Sequence, residues 1–388
     1  MTTIRKRTWT APNGTEKTAW LVDYRDGSGK RRFKQFARKK DADEWFTQAG
    51  WEVAKGIHIA DTQSATVAAA CEIWIKRAET EGLERGTILQ YRQLADLHIK
   101  PFLGAEKLSR LKASQVEAYR DDLLACRSKA MARKAIRALS SVLAEAMRRC
   151  LVAQNVAAGV KFARMSRAKS RVTIPTREEL NLLLSHAGDD FKPLLTTAIL
   201  TGLRASELRG LVWKNVNLKD AVLSISQRAD KFNQIGSPKS KAGHRSIPIS
   251  GALVATLREW KLRCPNGELG LVFPNNAGNV SDYAHLLRRR FQPLQIAAGI
   301  CDPVLIGGKP KTSDDGGAIM NARYGFHSLR HAAASAWIKQ RIDLKRLQVW
   351  IGHESIQLTL DTYGHLIEDS EEDARLIEAS HAELIKPM

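Results

Sequence analysis

The hydrophobic period changes along this chain, and that change constrains its fold more than any other feature. Ala19–Tyr24 and Arg32–Phe36 show the short alternating character of β-strands. Arg25-Asp-Gly-Ser-Gly-Lys30, which joins them, has the composition of a hairpin turn. From residue 64 to residue 160 the apolar residues recur at helical spacing instead. Since 388 residues also exceed the usual size of one domain, the sequence predicts a multidomain protein.

Residues 1–60 are predicted to form a small α+β domain. A helix should begin at Asp41, directly after the basic cluster Arg38 to Lys40. The basic residues of this segment surround a sheet face, and such a face can enter a DNA groove. A merely solvated charged surface explains the same residues equally well. DNA binding and simple solvation therefore both stay open for this domain.

Residues 64–160 are predicted to form an all-α domain of four helices. The amphipathic runs are Val67–Thr80, Thr87–His98, Ala113–Leu124 and Lys129–Arg149. Ser114-Gln-Val-Glu117 has the pattern of a capping box, which would start the third helix. In the fourth helix, Arg133, Lys134 and Arg137 lie apart from Leu139, Val142 and Leu143. These cations predict a DNA-binding face, although charged helix stripes often serve only solubility.

A basic linker is predicted at residues 161–172. It is short of large apolar side chains and includes Arg164 and Arg167. Because it lies between two segments with folded patterns, we expect its cations to contact phosphates.

The last segment, residues 173–388, is predicted to be mainly α-helical with a small antiparallel β-sheet. Thr176-Arg-Glu-Glu179 forms a second capping box at its start. Strands are expected at Ala221–Gln227 and Arg245–Ile249. The turn-rich connection between them carries Lys239 and Lys241.

The overall charge points to a polyanionic partner. Sixty-one Lys and Arg against 41 Asp and Glu give a formal net charge of +20, which fits a nucleic-acid backbone. Anionic membranes are the rival partner, but the sequence shows no apolar run long enough to span a bilayer, no secretory signal and no lipidation motif. We therefore expect a cytoplasmic protein without a membrane partner. The five cysteines are scattered and predict neither a disulfide framework nor a thiolate zinc site.

Four short motifs in the last segment carry reactive side chains. They are Thr201-Gly-Leu-Arg204-Ala-Ser-Glu207, His327-Ser-Leu-Arg330-His331, Ile351-Gly-His353 and Thr362-Tyr363. Each is weak alone, because such triplets occur by chance in many chains. Together they supply a phenol, two guanidiniums and, in His327 and His353, two imidazoles, which are the groups needed to attack a phosphodiester and to stabilise its charge. Glu207 is placed to orient Arg204 or to cap the local helix.

A metal or nucleotide cofactor is not expected. His327 and His331 have the spacing of a helical zinc pair, but the intervening Ser-Leu-Arg330 supplies a cation and lacks the glutamate of a metalloprotease. His331 is therefore predicted to be a structural or supporting residue. Ile306-Gly-Gly-Lys309 is followed by Pro310 and lacks the Ser or Thr of a nucleotide-binding loop.

The four motifs closely resemble those of the tyrosine recombinases, in particular the integrases of phages and other mobile elements. The resemblance implies that Arg204, Lys239, His327, Arg330, His353 and Tyr363 are catalytic. Lys241 is the runner-up for the lysine of the β-hairpin. The resemblance also implies that residues 1–60 bind arm-type DNA sites and that residues 64–160 form a SAM-like core-binding domain. The stretch from Cys301 to Tyr324 departs from the family pattern and is expected to be a mobile loop.

Elementary chemistry gives each implied residue a role. The phenol of Tyr363 needs a proton acceptor or nearby cations before it can attack, and His327 is the candidate acceptor. Arg204 and Arg330 would bind the non-bridging oxygens of the pentavalent phosphorus, and His353 would donate a further hydrogen bond. Lys239 would protonate the leaving 5′ oxygen. The family implies a 3′-phosphotyrosine link as the product.

The sequence thus predicts a site-specific recombinase that integrates or excises a mobile element through a Holliday junction. The expected partners are double-stranded DNA attachment sites, three further copies of the chain in a tetramer, a host DNA-bending protein and an excision factor. The acidic stretch Glu368–Asp373 leads into an apolar stripe that either covers its own core or docks on a neighbouring subunit. The alternatives are a non-cleaving DNA-binding regulator with the same fold and a relaxing enzyme similar to a type IB topoisomerase.

Overall fold

A computed structural model describes residues 3–25, 30–54, 64–163, 173–312 and 316–364. The chain divides into two compact units, Met1–Ser166 and Arg167–Met388.

The N-terminal part of the first unit is an antiparallel sheet of three strands packed on one helix. Strands β1 (Thr3–Thr10), β2 (Glu16–Arg25) and β3 (Arg31–Phe36) pair in chain order, and helix α1 is Lys39–Ala54. Trp45 of α1 meets Tyr24 and Phe36, with ring centroids 4.9 and 5.7 Å apart. The prediction of two strands and a helix missed β1, because that strand is almost entirely exposed and so shows no apolar alternation.

The rest of the first unit is helical, as predicted. The helices are α2 (Val67–Thr80), α3 (Arg85–Leu94), α4 (Lys100–Leu103), α5 (Ala113–Cys126) and α6 (Lys129–Arg148), and a π-helical turn at Ala95–Ile99 joins α3 to α4. Leu139, Val142 and Leu143 of α6 are fully buried, which confirms the predicted core side of that helix. The capping box predicted at Ser114 is wrong. The N-cap of α5 is Lys112, two residues before Ser114, and the Gln115 side chain accepts the Lys112 N–H at 2.8 Å.

The second unit is mainly helical around a small sheet. Its helices are α7 (Arg177–His186), α8 (Lys192–Thr201), α9 (Ala205–Arg209), α10 (Gly251–Arg263), α11 (Tyr283–His285), α12 (Gln292–Ala297), α13 (His327–Lys339), α14 (Leu344–Ile351) and α15 (Ile356–Tyr363). The capping box at Thr176 is confirmed, since Thr176 and Glu179 each accept the other's backbone N–H. In the described part of the chain, no helix is both long and apolar enough to cross a membrane.

The predicted strands of the second unit form its central sheet. Strands β4 (Val216–Asn217), β5 (Val222–Ile225) and β8 (Arg245–Pro248) are antiparallel in the order β4-β5-β8. The connection from β5 to β8 contains a second small ladder, β6 (Arg228–Ala229) with β7 (Ile235–Gly236). Leu223, Ile247 and Leu329 are buried in the core between this sheet and the surrounding helices.

The segment expected to be a mobile loop contains regular structure. Strand β9 (Cys301–Pro303) pairs with β12 (Met320–Ala322), and β10 (Leu305–Ile306) pairs with β11 (Lys309–Pro310). Arg323 at its base bonds to Glu179 of α7 and to Asp302. The described residues of this segment therefore form two small hairpins, and the loop prediction is wrong for them. These strands leave little signal in the sequence, because they are short and largely exposed.

Candidate active site

The first motif arginine lies at a sharp break between two helices. Gly202 ends α8 in the left-handed conformation, with φ at 59°, which glycine adopts without strain. Arg204 then precedes α9. Its guanidinium donates to Glu207 Oε1 at 2.8 Å through Nη1 and to the Gly352 carbonyl at 2.9 Å through Nη2. The break between the helices therefore brings the first motif against the third.

Glu207 contacts both the backbone N–H and the side chain of Arg204. Its carboxylate is buried and accepts the Arg204 backbone N–H at 2.9 Å, so it both caps α9 and orients the Arg204 side chain. Burial alone would disfavour the charged carboxylate, but bonds from Arg245 and the charge of Arg204 outweigh it and lower the pKa of Glu207 to about 2. The carboxylate stays charged across the physiological pH range.

Arg330 is a buried cation with an unused donor. It lies on the first turn of α13, is 2% exposed, and donates from Nη1 to the Gly202 carbonyl at 2.9 Å. Its Nη2 has no hydrogen-bond partner within the described part of the chain. Burial and the neighbouring charge of Arg204 lower its pKa to about 9. Since leaving a buried charged donor unsatisfied is costly, this position is suited to an anion.

The tyrosine of the fourth motif is buried at the end of α15. Only 1% of Tyr363 is exposed, and its hydroxyl lies 2.8 Å from Nδ1 of His331. Burial raises the pKa of the phenol to about 12, although the charges of Arg330 and Arg204 oppose that shift. The phenol is therefore neutral at pH 7 and needs a partner that takes its proton.

The imidazole that contacts the phenol is not the one predicted. The motifs predict His327 as the acceptor of the phenolic proton and His331 as a structural or supporting residue. His327 begins α13 and is exposed, whereas His331, one turn further, is half-buried against Tyr363. The two imidazoles lie edge to face, with ring centroids 4.8 Å apart. Which of two side chains one helical turn apart faces α15 depends on how α13 packs, and spacing alone does not reveal it.

His353 follows the left-handed Gly352 that ends α14. Its ring lies parallel to that of Tyr363, with centroids 6.3 Å apart, and Nδ1 is 3.0 Å from the Thr359 hydroxyl. Burial, reinforced by the charges of Arg330 and Arg204, lowers the pKa of His353 to about 4. The imidazole is therefore neutral at pH 7.

This shift predicts that the second unit loses stability in mild acid. Between an unfolded pKa of 6.5 and a folded value of about 4, the unfolded chain binds a proton that the folded His353 does not. The free energy of unfolding should therefore fall with decreasing pH, by up to about 1.4 kcal/mol per pH unit. Urea unfolding near pH 7.5 and near pH 5 should show a loss about 2 kcal/mol larger for wild type than for His353→Gln. His186→Gln, which removes an exposed histidine of α7, is the control. Equal losses in wild type and His353→Gln would contradict the prediction.

The predicted hairpin lysines lie in the connection from β7 to β8. Lys239 is exposed between β7 and a 3₁₀ turn that begins at Lys241, which is also exposed. The predicted DNA-binding residues of α6 differ in their exposure. Lys134 and Arg137 are exposed on α6, whereas Arg133 stacks over Phe162 at 5.4 Å and is half-buried. Arg164 and Arg167 lie outside the described residues.

One residue of the site escaped the sequence analysis. Arg245, at the start of β8, is buried and bonds to both oxygens of Glu207, at 3.0 and 2.9 Å. The usable signal was its register. Arg245, Ile247 and Ile249 are spaced two residues apart, so their side chains lie on the same, inward face of the strand. A cation on that face needs a buried anion as its partner.

Comparison with known proteins identifies the family. The Phage integrase family model matches residues 175–369, and the model of the phage integrase N-terminal SAM-like domain matches residues 66–124. The chain belongs to the phage integrase family. The resemblance to tyrosine recombinases that the four motifs indicated is thereby confirmed, together with the predicted fold class and site-specific recombination as its activity.

The sequences of individual relatives align with most of the chain. The chain is 24% identical to a tyrosine recombinase XerC-like protein of Caldanaerobacter subterraneus subsp. tengcongensis, over 94% of this chain and 96% of the relative. It is 25% identical to an integrase of Streptomyces ambofaciens, over 87% of this chain and 86% of the relative.

Solved structures share the fold. The Tn1549 transposon integrase in complex with transposon right end DNA aligns with a TM-score of 0.63 and 18% identity, covering 82% of this chain and 99% of that one. A lambda integrase dimer bound to a COC′ core site aligns with a TM-score of 0.59 and 18% identity, covering 94% and 95%.

Proposed function

We propose that this protein cuts and rejoins double-stranded DNA at specific sites through a covalent 3′-phosphotyrosine intermediate. The observation that carries the proposal is the buried Arg330, whose Nη2 has no hydrogen-bond partner among the described residues and which lies in the same site as Arg204, His353 and the phenol of Tyr363. A phosphate would give this donor its missing acceptor.

The roles of the residues follow from the charge that develops during transfer. The Tyr363 oxygen forms the new P–O bond while the bond to the 5′ oxygen breaks. His331, already at hydrogen-bond distance, takes the phenolic proton. Arg204 and Arg330 hold the non-bridging oxygens, where the charge is greatest. His327, on the exposed side of the same helix turn, and His353 donate further hydrogen bonds.

The leaving oxygen needs a proton, because an alkoxide is a poor leaving group. We assign this general-acid role to Lys239, on the connection between β7 and β8, with Lys241 as the alternative. Both lysines are exposed, so DNA can bring the scissile phosphate and either ammonium together.

The nucleophile must move before it reacts. With 1% of its surface exposed, Tyr363 cannot meet the phosphorus of a bound duplex in the described conformation. Helix α15 therefore has to shift when DNA binds, while the arginine pair remains anchored on carbonyls and on Glu207. We infer that DNA binding and activation of the phenol are coupled in this way.

A nicked suicide duplex tests the proposal. Loss of a short fragment after cleavage prevents religation, so the full-length protein should accumulate as an adduct that survives SDS. Peptide mapping should then find DNA on Tyr363. Adding a second duplex with a 5′ hydroxyl should release recombinant strands. Binding without any adduct would favour the non-cleaving regulator, and rejoining only of the original ends would favour a relaxing enzyme.

We further propose that the protein works as a tetramer on paired attachment sites in the bacterial cytoplasm, aided by a host DNA-bending protein and an excision factor. A lambda integrase tetramer bound to a Holliday junction shares the fold, with a TM-score of 0.56. Four protomers per junction in native mass spectrometry would support the proposal, and a dimer as the largest species would contradict it. The tail from Glu368 onward, a candidate for subunit docking, lies outside the described residues.

The N-terminal sheet supports a second DNA contact. The register places Arg5 opposite Leu21 and Arg7 opposite Ala19, on the sheet face away from α1. Trp9 and Phe33 share that face and are 37% and 52% exposed. Arg7 lies 6.0 Å from the Trp9 ring. Cations and aromatic rings on one exposed face are suited to a DNA groove, so we propose that this face binds arm-type sites.

Two neighbouring cations of β1 test this face. Arg7 and Lys6 are both exposed, but they point to opposite sides of the sheet because side chains alternate along a strand. Arg7→Gln should reduce the slope of log K against log salt by about 0.9 for arm-site DNA. Lys6→Gln, which removes the same charge, should leave the slope unchanged. Equal slopes for the two variants would rule out a face-specific contact.

A further inference from the structure

Arg245 is a buried side chain that donates several hydrogen bonds at the candidate active site. Its Nη1 and Nη2 hold the two oxygens of Glu207, its Nε donates to the Trp350 carbonyl at 2.7 Å, and Nη1 also donates to the Gly243 carbonyl at 3.0 Å. With only 8% of the residue exposed and these donors committed to protein acceptors, the guanidinium has little capacity left for a substrate. Its role must therefore be exerted through other residues.

Both anchors of Arg204 depend on this one guanidinium. The first anchor is Glu207, whose Oε1 accepts hydrogen bonds from both Arg204 and Arg245. The second is the carbonyl of Gly352. A Cβ at Gly352 would lie 2.8 Å from Arg245 Nη1 and 2.9 Å from its Cζ, so the glycine backbone rests directly on the guanidinium. Moving Arg245 would release Arg204 at both ends.

The same side chain joins two parts of the site that are distant in sequence. Gly243 lies just after Lys239 and Lys241 in the connection to β8, and Trp350 lies in the last turn of α14, three residues before His353. One planar group therefore ties the lysine connection to the segment that carries His353.

We propose that Arg245 is a positioning residue, which sets the direction of the Arg204 guanidinium through Glu207 and Gly352 and so prepares the site for a phosphate. This inference rests on the proposed function. Lysine cannot replace arginine in this position, because a single ammonium cannot hold two carboxylate oxygens in a fork and also reach two carbonyls. The fixed geometry, beyond the positive charge, is what the site requires.

The test compares Arg245→Lys with wild type on two suicide duplexes. One carries an ordinary scissile phosphate, and the other carries a methylphosphonate, in which a methyl group replaces one charged oxygen. On the phosphate, Arg245→Lys should form the adduct about 100-fold more slowly than wild type. On the uncharged methylphosphonate, the orientation of Arg204 matters less, because there is less negative charge to stabilise. The ratio of the wild-type rate to the Arg245→Lys rate should therefore be at least about tenfold smaller than on the phosphate.

Arg209→Lys is the matched control, because Arg209 is also buried in the same unit and donates to the Ser281 and Asp230 carbonyls, away from the motif residues. Its rate ratio to wild type should be the same on both substrates. If Arg245→Lys does not fold, Glu207→Gln replaces it in the test. Because Glu207 connects Arg245 to Arg204, this variant should also show a smaller rate defect relative to wild type on the methylphosphonate than on the phosphate. An Arg245→Lys rate within about threefold of wild type, or an equal defect on both substrates, would overturn the inference. Absence of a wild-type adduct would instead contradict the proposed function.

Discussion

Tyr363→Phe should abolish the covalent adduct on a nicked suicide duplex while leaving DNA affinity within about twofold of wild type. Removing the nucleophile of a covalent mechanism lowers the rate by more than about 10⁴-fold, because the other residues have no bond to form. Binding survives because it rests on phosphate contacts made by cations elsewhere, and Tyr363 is almost fully buried. Adduct formation is read on denaturing gels, and affinity by a salt-controlled shift assay.

The same variant also tests the hydrogen bond to His331. Phenylalanine keeps the ring but leaves His331 Nδ1 without its partner, so the free energy of unfolding should fall by about 1 kcal/mol. Tyr324→Phe is a suitable control, because the Tyr324 hydroxyl also makes a partly buried hydrogen bond, to Glu179 at 2.7 Å. It should lose similar stability and still form the adduct. A Tyr363→Phe protein that still traps DNA would show that another side chain is the nucleophile.

Arg330→Met should make the protein more stable and nearly inactive. Burying the guanidinium costs desolvation free energy, and its hydrogen bond to the Gly202 carbonyl does not offset that cost. Its Nη2 has no partner in the described structure. An apolar side chain of similar length removes that cost, and replacing such buried charges can stabilise a protein by about 1–4 kcal/mol. The loss of one charge-stabilising donor should slow cleavage by about 10²–10³-fold.

Arg209→Met is the matched control for the stability gain. Arg209 and Arg330 are each 2% exposed, but Arg209 places its donors on the Ser281 and Asp230 carbonyls and on the Asn233 side chain. Its replacement leaves these acceptors unpaired and should therefore destabilise the protein. Melting temperatures of the two variants should shift in opposite directions. If both fall, Arg330 already has its bonding needs met without DNA, and its proposed role as a phosphate receptor loses its basis.

The helices and central strands were predictable because local patterns determine them. Helix α2 begins and ends where its amphipathic run does, and β5 and β8 lie within the predicted strands. Strand β1 was missed because its exposed side chains show no buried face. The small hairpins after Cys301 were missed for a related reason, since each strand is only two or three residues long. Where burial does not alternate, the sequence carries little signal of a strand.

The sequence by itself determined which chemical groups this protein can use. The motifs named Arg204, Arg330, His353 and Tyr363, because reactive side chains at fixed short spacings can be recognised without a fold. Only the tertiary structure decided which of them meet. It brought His331 rather than His327 into hydrogen-bond distance of the phenol, and it paired Arg245 with Glu207. These contacts join residues up to 38 positions apart in the chain, and such pairings arise from how helices and strands pack, which no local spacing encodes.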